Sequence, residues 1–243
     1  MIKRLFDLFA SALGLLVASP VLVPTMVAVW LQDFHSPFYI APRVGRGERP
    51  FRMVKLRSMV VNADKTGVDS TGAQDRRITR VGHFIRRYKL DELTQLLNVL
   101  VGDMSLVGPR PNVKRETDLY TPVEKELLTV KPGITDFASI VFSDEGDILA
   151  DKPDPDIAYN QLIRPWKSEL GIFYIRHQSL ALDLRLILLT ILAIVNRPAA
   201  LGSVANLLAK LGADARLVRV ATRQDPLVPT PPPGATEIVT SRG

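Results

Sequence analysis

The sequence predicts an α+β fold: a re-entrant N-terminal membrane helix broken at Ser19-Pro20, a small and mostly helical polar domain with one short β-hairpin, and amphipathic helices suited to a membrane interface. Three observations carry it. No charged residue occurs from Leu8 to Leu31, and roughly 20 apolar residues suffice to enter a bilayer. Two β-rich runs flank a Gly/Arg turn, and leucines further on recur at helical spacing. The expected divisions are 1–36 for the membrane helix, 37–178 for the central domain, 179–212 for the amphipathic helices and 213–243 for a C-terminal extension.

Within the first segment Pro20 and Pro24 each remove a backbone donor, so the helix is expected to break after Ser19, whose hydroxyl is placed to satisfy a freed carbonyl. Basic residues flank both sides, Lys3 and Arg4 before and Arg43, Arg46, Arg49, Arg52 and Lys55 after, which suits both ends remaining on the cytoplasmic side. A plain span with a proline kink and a cleaved secretory signal stay open on this pattern. Phe38–Ala41 and Phe51–Leu56 read as strands joined by the turn from Arg43 to Glu48. A polar loop through Gly72 leads to the basic stretch Arg76–Arg87, which taken alone is a solvated face.

Leu93, Leu96, Leu97 and Leu100 predict a helix from Asp91 to Val101, stopped at Gly102, with Asp91, Gln95 and Asn98 on its polar side. Gly108-Pro109-Arg110-Pro111 forms a stiff connection presenting Arg110, and Lys131-Pro132-Gly133 a second rigid turn. Leu180–Val195 is too short in its uncharged part to span and suits an interfacial or core helix. Leu201, Val204, Leu208 and Leu211 predict an amphipathic helix on a membrane surface, a buried soluble pair being the alternative. The proline-rich tail after Asp225 is expected to be disordered or polyproline-like.

Of 243 residues, 31 are Lys or Arg and 25 Asp or Glu, giving a net charge of +6 that favours anionic partners. The absence of cysteine excludes disulfide scaffolds and thiol chemistry. Three histidines do not suggest a His-based zinc site, and His83 and His177 are isolated. No P-loop, Rossmann, zincin or hydrolase-elbow motif occurs. Asp91 and Glu92 open a helix, where the backbone favours both charges; read by themselves they are helix caps. Arg86 and Arg87 upstream and Arg110 downstream match phosphate oxygens, and a carboxylate among phosphate binders suggests phosphoryl transfer. Adjacent helical residues point about 100° apart, so the two carboxylates divide the work: one attacks phosphorus, the other holds Mg²⁺.

The runs Lys3-Arg4-Leu5-Phe6-Asp7, Ser19-Pro20, Lys55-Leu56-Arg57-Ser58-Met59, Leu90-Asp91-Glu92-Leu93, Asn98-Val99-Leu100, Gly102 to Pro111 and Lys131-Pro132-Gly133-Ile134-Thr135 resemble the bacterial sugar transferase family. Its monotopic members are polyprenyl-phosphate phosphoglycosyl transferases. The resemblance covers residues 3 to about 150 and implies a re-entrant helix, a catalytic domain on the cytoplasmic face of the bacterial inner membrane, Mg²⁺, and a ping-pong reaction. Asp91 would attack the sugar-bearing phosphate of a UDP-sugar, releasing UMP, and a polyprenyl (undecaprenyl) phosphate would take the phosphosugar from it. Such a step begins exopolysaccharide, O-antigen, capsule or glycoprotein glycan assembly. Glu92 would sit at the metal with Asp91, while Lys55, Arg57, Arg86, Arg87 and Arg110 would contact phosphates.

Against the family pattern, Thr94 stands where Pro is common and Asp136 where Gly is common. The chain reads as the small, minimal form, a homodimer is compatible with it, and Asp151–Tyr174 is expected to add helices over the sugar site. The rival function is a membrane-anchored basic module that binds lipid or nucleic acid without catalysis. Nucleic acid is disfavoured, because only Phe84 and Tyr88 lie among the basic residues.

Overall fold

The computed structural model describes residues 2–63 and 75–241; the loop expected through Gly72 lies, from 64 on, outside the described residues. The chain opens with α1 (Ile2–Asp33), which at the usual helical rise is roughly 48 Å long. It is the one helix among the described residues long and apolar enough to cross a membrane. Phe9, Leu16 and Val17 are about 70% exposed, an apolar surface that hydrocarbon solvates and water does not. Of the kink or break expected at Ser19-Pro20, the break is corrected, because the backbone is helical through both prolines. The reason is local: Pro20 has no N–H for the Leu16 carbonyl, and Ser19 Oγ donates to that carbonyl at 2.7 Å, as the sequence suggested.

Both ends of α1 dock on the same polar body. At the start, Lys3 Nζ donates to Asp183 at 2.5 Å and to Tyr174 Oη at 3.1 Å. Arg4 donates to the Val99 and Leu100 carbonyls, and Asp7 accepts from Ser105 Oγ and the Leu106 amide. At the far end Val29 packs with Leu56, Ile85 and Leu90, and the Arg57 guanidinium grips Asp33 with bonds of 2.5 and 2.7 Å.

The hairpin is antiparallel, β1 (Phe38–Val44) against β2 (Pro50–Leu56), and both strands run slightly longer than the sequence suggested. Gly47, at φ 67°, supplies the left-handed turn residue. Next come α2 (Arg80–Arg87), α3 (Leu90–Leu93) and α4 (Leu96–Val101). The single helix expected from Asp91 is thus two, joined by tighter bonds at Thr94 and Gln95. Gln95 and Asn98, expected on a polar outer side, are buried. For Asn98 the cause is the edge of β2: its amide donates to Arg52 O and accepts from Val54 N. Thr94 Oγ1 donates to Val54 O. The side chains of one short helical stretch therefore complete the strand that carries Lys55.

The two stiff turns pair with each other. β3 (Ser105–Val107) and β4 (Gly133–Thr135) form a parallel ladder, extended by Gly108 N to Thr135 O and Gly133 N to Pro109 O. A Cβ on Gly133 would fall 2.1 Å from the Gly108 nitrogen, so only glycine permits this approach. After α5 (Lys114–Thr117) and a 3₁₀ segment (Glu124–Thr129), the rest is helical. It comprises α6 (Phe137–Val141), α7 (Glu145–Leu149), α8 (Pro155–Leu162), α9 (Arg164–Arg176), α10 (Leu180–Val195), α11 (Arg197–Lys210) and α12 (Ala215–Thr222). Phe137, Leu170, Tyr174, Leu186 and Leu208 fill the main core. The helices α8 and α9 occupy the stretch where added helices were expected.

The C-terminal expectations divide. The outer face of α10 is apolar and exposed at Leu188, Ile191 and Ile194, as an interfacial helix requires. The surface position expected for the α11 stripe is corrected: Leu201, Val204 and Leu208 are buried, because α12 folds back over them. Of the two alternatives for the tail, disordered or polyproline-like, disorder is corrected, because the tail is docked. Thr230 N donates to Gln161 O, Gln161 Nε2 to Val239 O, and Thr121 Oγ1 to Pro233 O. Those backbone partners fix a segment whose side chains alone gave it little to bury.

Candidate active site

Four separate pieces of chain bring charge to one place. Strand β2 carries Lys55. The α2 helix, capped by Thr79 Oγ1 on the Gly82 amide, carries Arg86, whose Nε donates to Ser58 Oγ at 3.0 Å. Gly82 makes that approach feasible, since a Cβ there would lie 1.8 Å from Ser58 O. The short α3 carries Asp91 and Glu92, entered through Lys89 in a left-handed conformation at φ 55°. The β3–β4 ladder carries Arg110, which donates to Ile134 O at 3.1 Å and pairs with Glu92 at 3.1 Å.

The two carboxylates stand in different surroundings. Glu92 and Arg110 each keep about a quarter of their side-chain surface exposed, 26% and 27%. Burial pushes Glu92 up, but Arg110, with Lys89 and Lys55, outweighs that and holds it below the usual carboxylate value. Asp91 goes the other way: burial, with the neighbouring Glu92 charge, raises it above 3.8 against the pull of Lys55, Arg110 and Arg86. The favourable setting of a helix start is thus opposed at Asp91 by desolvation, since a four-residue helix offers little dipole against burial. Among the described residues the Asp91 carboxylate has no hydrogen bond or ion pair, whereas Glu92 is held by Arg110.

Lys55 is also without an ion-pair partner among the described residues. Burial lowers it to about 8, with Arg110 adding to the shift and Asp91 and Glu92 opposing it. The arrangement is one unpaired carboxylate, one clamped carboxylate and three cations. Its free positive charges suit phosphate oxygens, and its free oxygen is available to attack.

Residues 1–197 match the family described as bacterial sugar transferase. The chain belongs to the bacterial sugar transferase family. One relative is the UDP-N-acetylgalactosamine-undecaprenyl-phosphate N-acetylgalactosaminephosphotransferase of Aeromonas hydrophila, 36% identical over 197 residues, 80% of this chain and 44% of that one. A putative undecaprenyl-phosphate N-acetylgalactosaminyl 1-phosphate transferase of Bacillus subtilis is 46% identical over 110 residues, 45% of this chain and 62% of that one. The uncharacterized sugar transferase EpsL of B. subtilis is 35% identical over 190 residues, 78% of this chain and 85% of that one. The chain thus spans under half the length of the Aeromonas relative and most of EpsL.

Within this sugar transferase, not every residue expected to contact phosphate lies in the cluster. Lys55, Arg86 and Arg110 do. Arg57 is buried and bound to Asp33 and to the Ser36 carbonyl, which makes it the fastener of α1 rather than a phosphate ligand. Arg87 is exposed and lies 5.9 Å from the Tyr88 ring, because consecutive helical residues diverge and Arg86 takes the inward direction. His83 is exposed, and His177 is stacked on Phe173 with a ring nitrogen 2.9 Å from its carbonyl.

Three more residues stand beside the cluster, of which the sequence had singled out Asp136 alone. Asp136 is 1% exposed, caps α6 by accepting from Ser139 N and Oγ at 2.7 Å, and is raised chiefly by burial. Glu145 pairs with Lys167, and Arg110 and Lys89 help to hold it ionised against its burial. Only the departure from glycine at Asp136 was visible in the chain; nothing local marks Glu145 or Lys167.

Proposed function

We propose that this sugar transferase moves a sugar 1-phosphate from a UDP-sugar to a polyprenyl phosphate at the cytoplasmic face of the bacterial inner membrane, through an aspartyl phosphosugar. The single observation that carries the reading is the unpaired Asp91 carboxylate among Lys55, Arg86 and Arg110, in a chain whose relatives carry undecaprenyl-phosphate transferase names. In the first step an Asp91 oxygen forms a bond to the sugar-bearing phosphorus, and the phosphoanhydride bond breaks with its electron pair leaving on UMP. In the second, an oxygen of the lipid phosphate forms the new phosphoanhydride and Asp91 leaves as carboxylate. Lys55, Arg86 and Arg110 bind the phosphates and offset the charge that gathers on the leaving group, the main demand of this reaction class.

Mg²⁺ fits the donor set. The site offers adjacent carboxylates and no soft ligand, and Mg²⁺ binds through one or two carboxylates with substrate phosphates and water completing its shell. Among the described residues no three acidic or histidine side chains converge, which suits a shell completed by substrate. Glu92, with Asp91, would hold the ion, and when bound it would supply further neutralisation of phosphate charge.

The test is incubation of the detergent-solubilised chain with a panel of UDP-sugars, Mg²⁺ and polyprenyl phosphate. UMP release with at least one sugar is expected; release with none overturns the reading, and lipid binding without turnover would favour a non-catalytic basic module. The pH profile follows from the site. As pH rises, kcat/KM should climb while Asp91 deprotonates, above the ordinary carboxylate value of 3.8, and fall again through about 8 as Lys55 loses its proton. Lys55→Arg should move the alkaline limb upward, since guanidinium stays charged; an unmoved limb would show that Lys55 does not cause it.

The re-entrant topology is part of the same proposal. Attachment of both ends of α1 to one body, through Asp7 to Ser105 and Asp33 to Arg57, supports a segment that returns to its starting side. The chain has no cysteine, so single cysteines at Ile2 and Ser36, both exposed, report its ends cleanly. Both should label from the cytoplasmic face of sealed vesicles. Labelling from opposite faces would make α1 a span.

A further inference from the structure

The family match ends at Arg197, yet Arg197 itself and the C-terminal helices beyond it are bound to the rim of the site. The linker between α6 and α7 is gripped by two arginines. Arg197 donates to Ser143 Oγ at 3.1 Å and to Val141 O at 3.2 Å, and pairs with Asp144 at 2.8 Å. Arg223, in a left-handed conformation closing α12, reaches the other Asp144 oxygen at 3.4 Å and lies 5.4 Å from the Phe142 ring. The next residue after Asp144 is Glu145.

The Glu145 carboxylate meets the Lys167 ammonium, which lies 5.3 Å over the Tyr159 ring. Lys167 is one fifth exposed and Glu145 somewhat more than a third, 20% and 37% of their side chains. The pair therefore borders solvent, at the open rim. It stands on the Arg110 side of the cluster: Arg110 is tied to Ile134 O, and Asp136 two residues later caps α6, which packs on α9, the helix of Lys167. Next to the cations of the cluster, with Arg110 and Lys89 near enough to act on Glu145, stands a carboxylate–ammonium pair. That pair offers both acceptors and donors, the chemistry that reads a pattern of sugar hydroxyls.

We propose, resting on the transferase reading, that Glu145 and Lys167 form the sugar-recognising wall of the site, and that the C-terminal extension sets its position through the Arg223 grip on Asp144. Glu145 accepts from sugar hydroxyls, Lys167 orients it and donates to a second sugar oxygen, and Arg223 is a positioning residue. A site built to pair with a particular hydroxyl rejects an epimer or analogue that leaves its groups unpaired.

The experiment measures kcat/KM for UMP release by the full chain with UDP-glucose, UDP-galactose and their N-acetylamino counterparts, and the inhibition constant of UMP, which lacks the transferred sugar. For Glu145→Gln the ratio between the preferred and second sugar should shrink by about tenfold, with UMP inhibition unchanged. Arg223→Gln should shrink the same ratio less, again with UMP inhibition unchanged. Equal loss for every UDP-sugar, unchanged ratios, or weakened UMP inhibition in Glu145→Gln would each overturn the wall. Absence of UMP with every sugar in the unmodified protein overturns the transferase reading and the wall together, whereas active protein with intact ratios overturns the wall alone.

Discussion

Asp91→Asn is expected to reduce UMP release by roughly 10⁴-fold or more, and to abolish the covalent phosphosugar in the absence of lipid acceptor. The substitution keeps the side chain's size and removes its nucleophilic oxygen. It also costs the fold little, because the carboxylate has no partner to lose among the described residues, while the backbone oxygen that receives Thr94 Oγ1 at 3.0 Å is untouched. A thermal midpoint near that of the unmodified chain, with UDP-sugar binding retained, separates loss of chemistry from loss of structure. Turnover comparable to the unmodified protein would remove Asp91 from the nucleophile role.

The directions of the two carboxylates make this outcome informative. A raised Asp91 is destabilised as an anion, chiefly by burial, and so gains from forming the mixed anhydride with phosphorus, in which the carboxylate's own charge is lost and the remaining charge sits on the phosphoryl oxygens. Glu92, held below its ordinary value by Arg110 and its companions, has its charge already committed. The sequence suggested two roles from the angular separation of adjacent helical residues; the surroundings support the proposed division, attack for Asp91 and support for Glu92, through partners that spacing does not reveal.

The same contrast explains which parts of the fold were legible. The hairpin was readable because alternation and Gly47 act within a few residues, and the Ser19 to Leu16 bond because a proline's lost donor has a fixed address four residues back. The pairing of Gly108 with Gly133 joins positions 25 apart, where stiffness was visible but mutual approach was not. An apolar stripe reads alike against lipid or protein, so the leucines of α11 gave no sign that α12 covers them. Arg57 and Arg110 are chemically the same; what separates the fastener of α1 from the arginine in the charged cluster is Asp33 beside one and Glu92 beside the other. For Glu145 and Lys167, 22 positions apart, only the presence of helices in that stretch was foreseeable.

Arg110→Ala should lower kcat/KM by roughly 10²- to 10³-fold, the scale of removing one placed donor from a charged transition state, and Arg110→Lys should recover only part of it. Two effects add. The phosphate loses a forked donor, and Glu92 loses its partner in a setting where burial works against its charge, so its proton affinity rises. The second effect has its own signature. With Arg110 gone the Glu92 carboxyl should titrate higher, as should Asp91, which Arg110 also lowers, and the acidic limb of the pH profile should shift upward in the alanine variant. In Arg110→Lys a single ammonium replaces the planar fork that now reaches both Glu92 and the Ile134 carbonyl; it preserves the charge and gives up one of those two bonds. The acidic limb should therefore return toward normal while the rate stays depressed. An alanine variant that loses rate with no movement of that limb would separate phosphate binding from the support of Glu92, and assign Arg110 to the substrate alone.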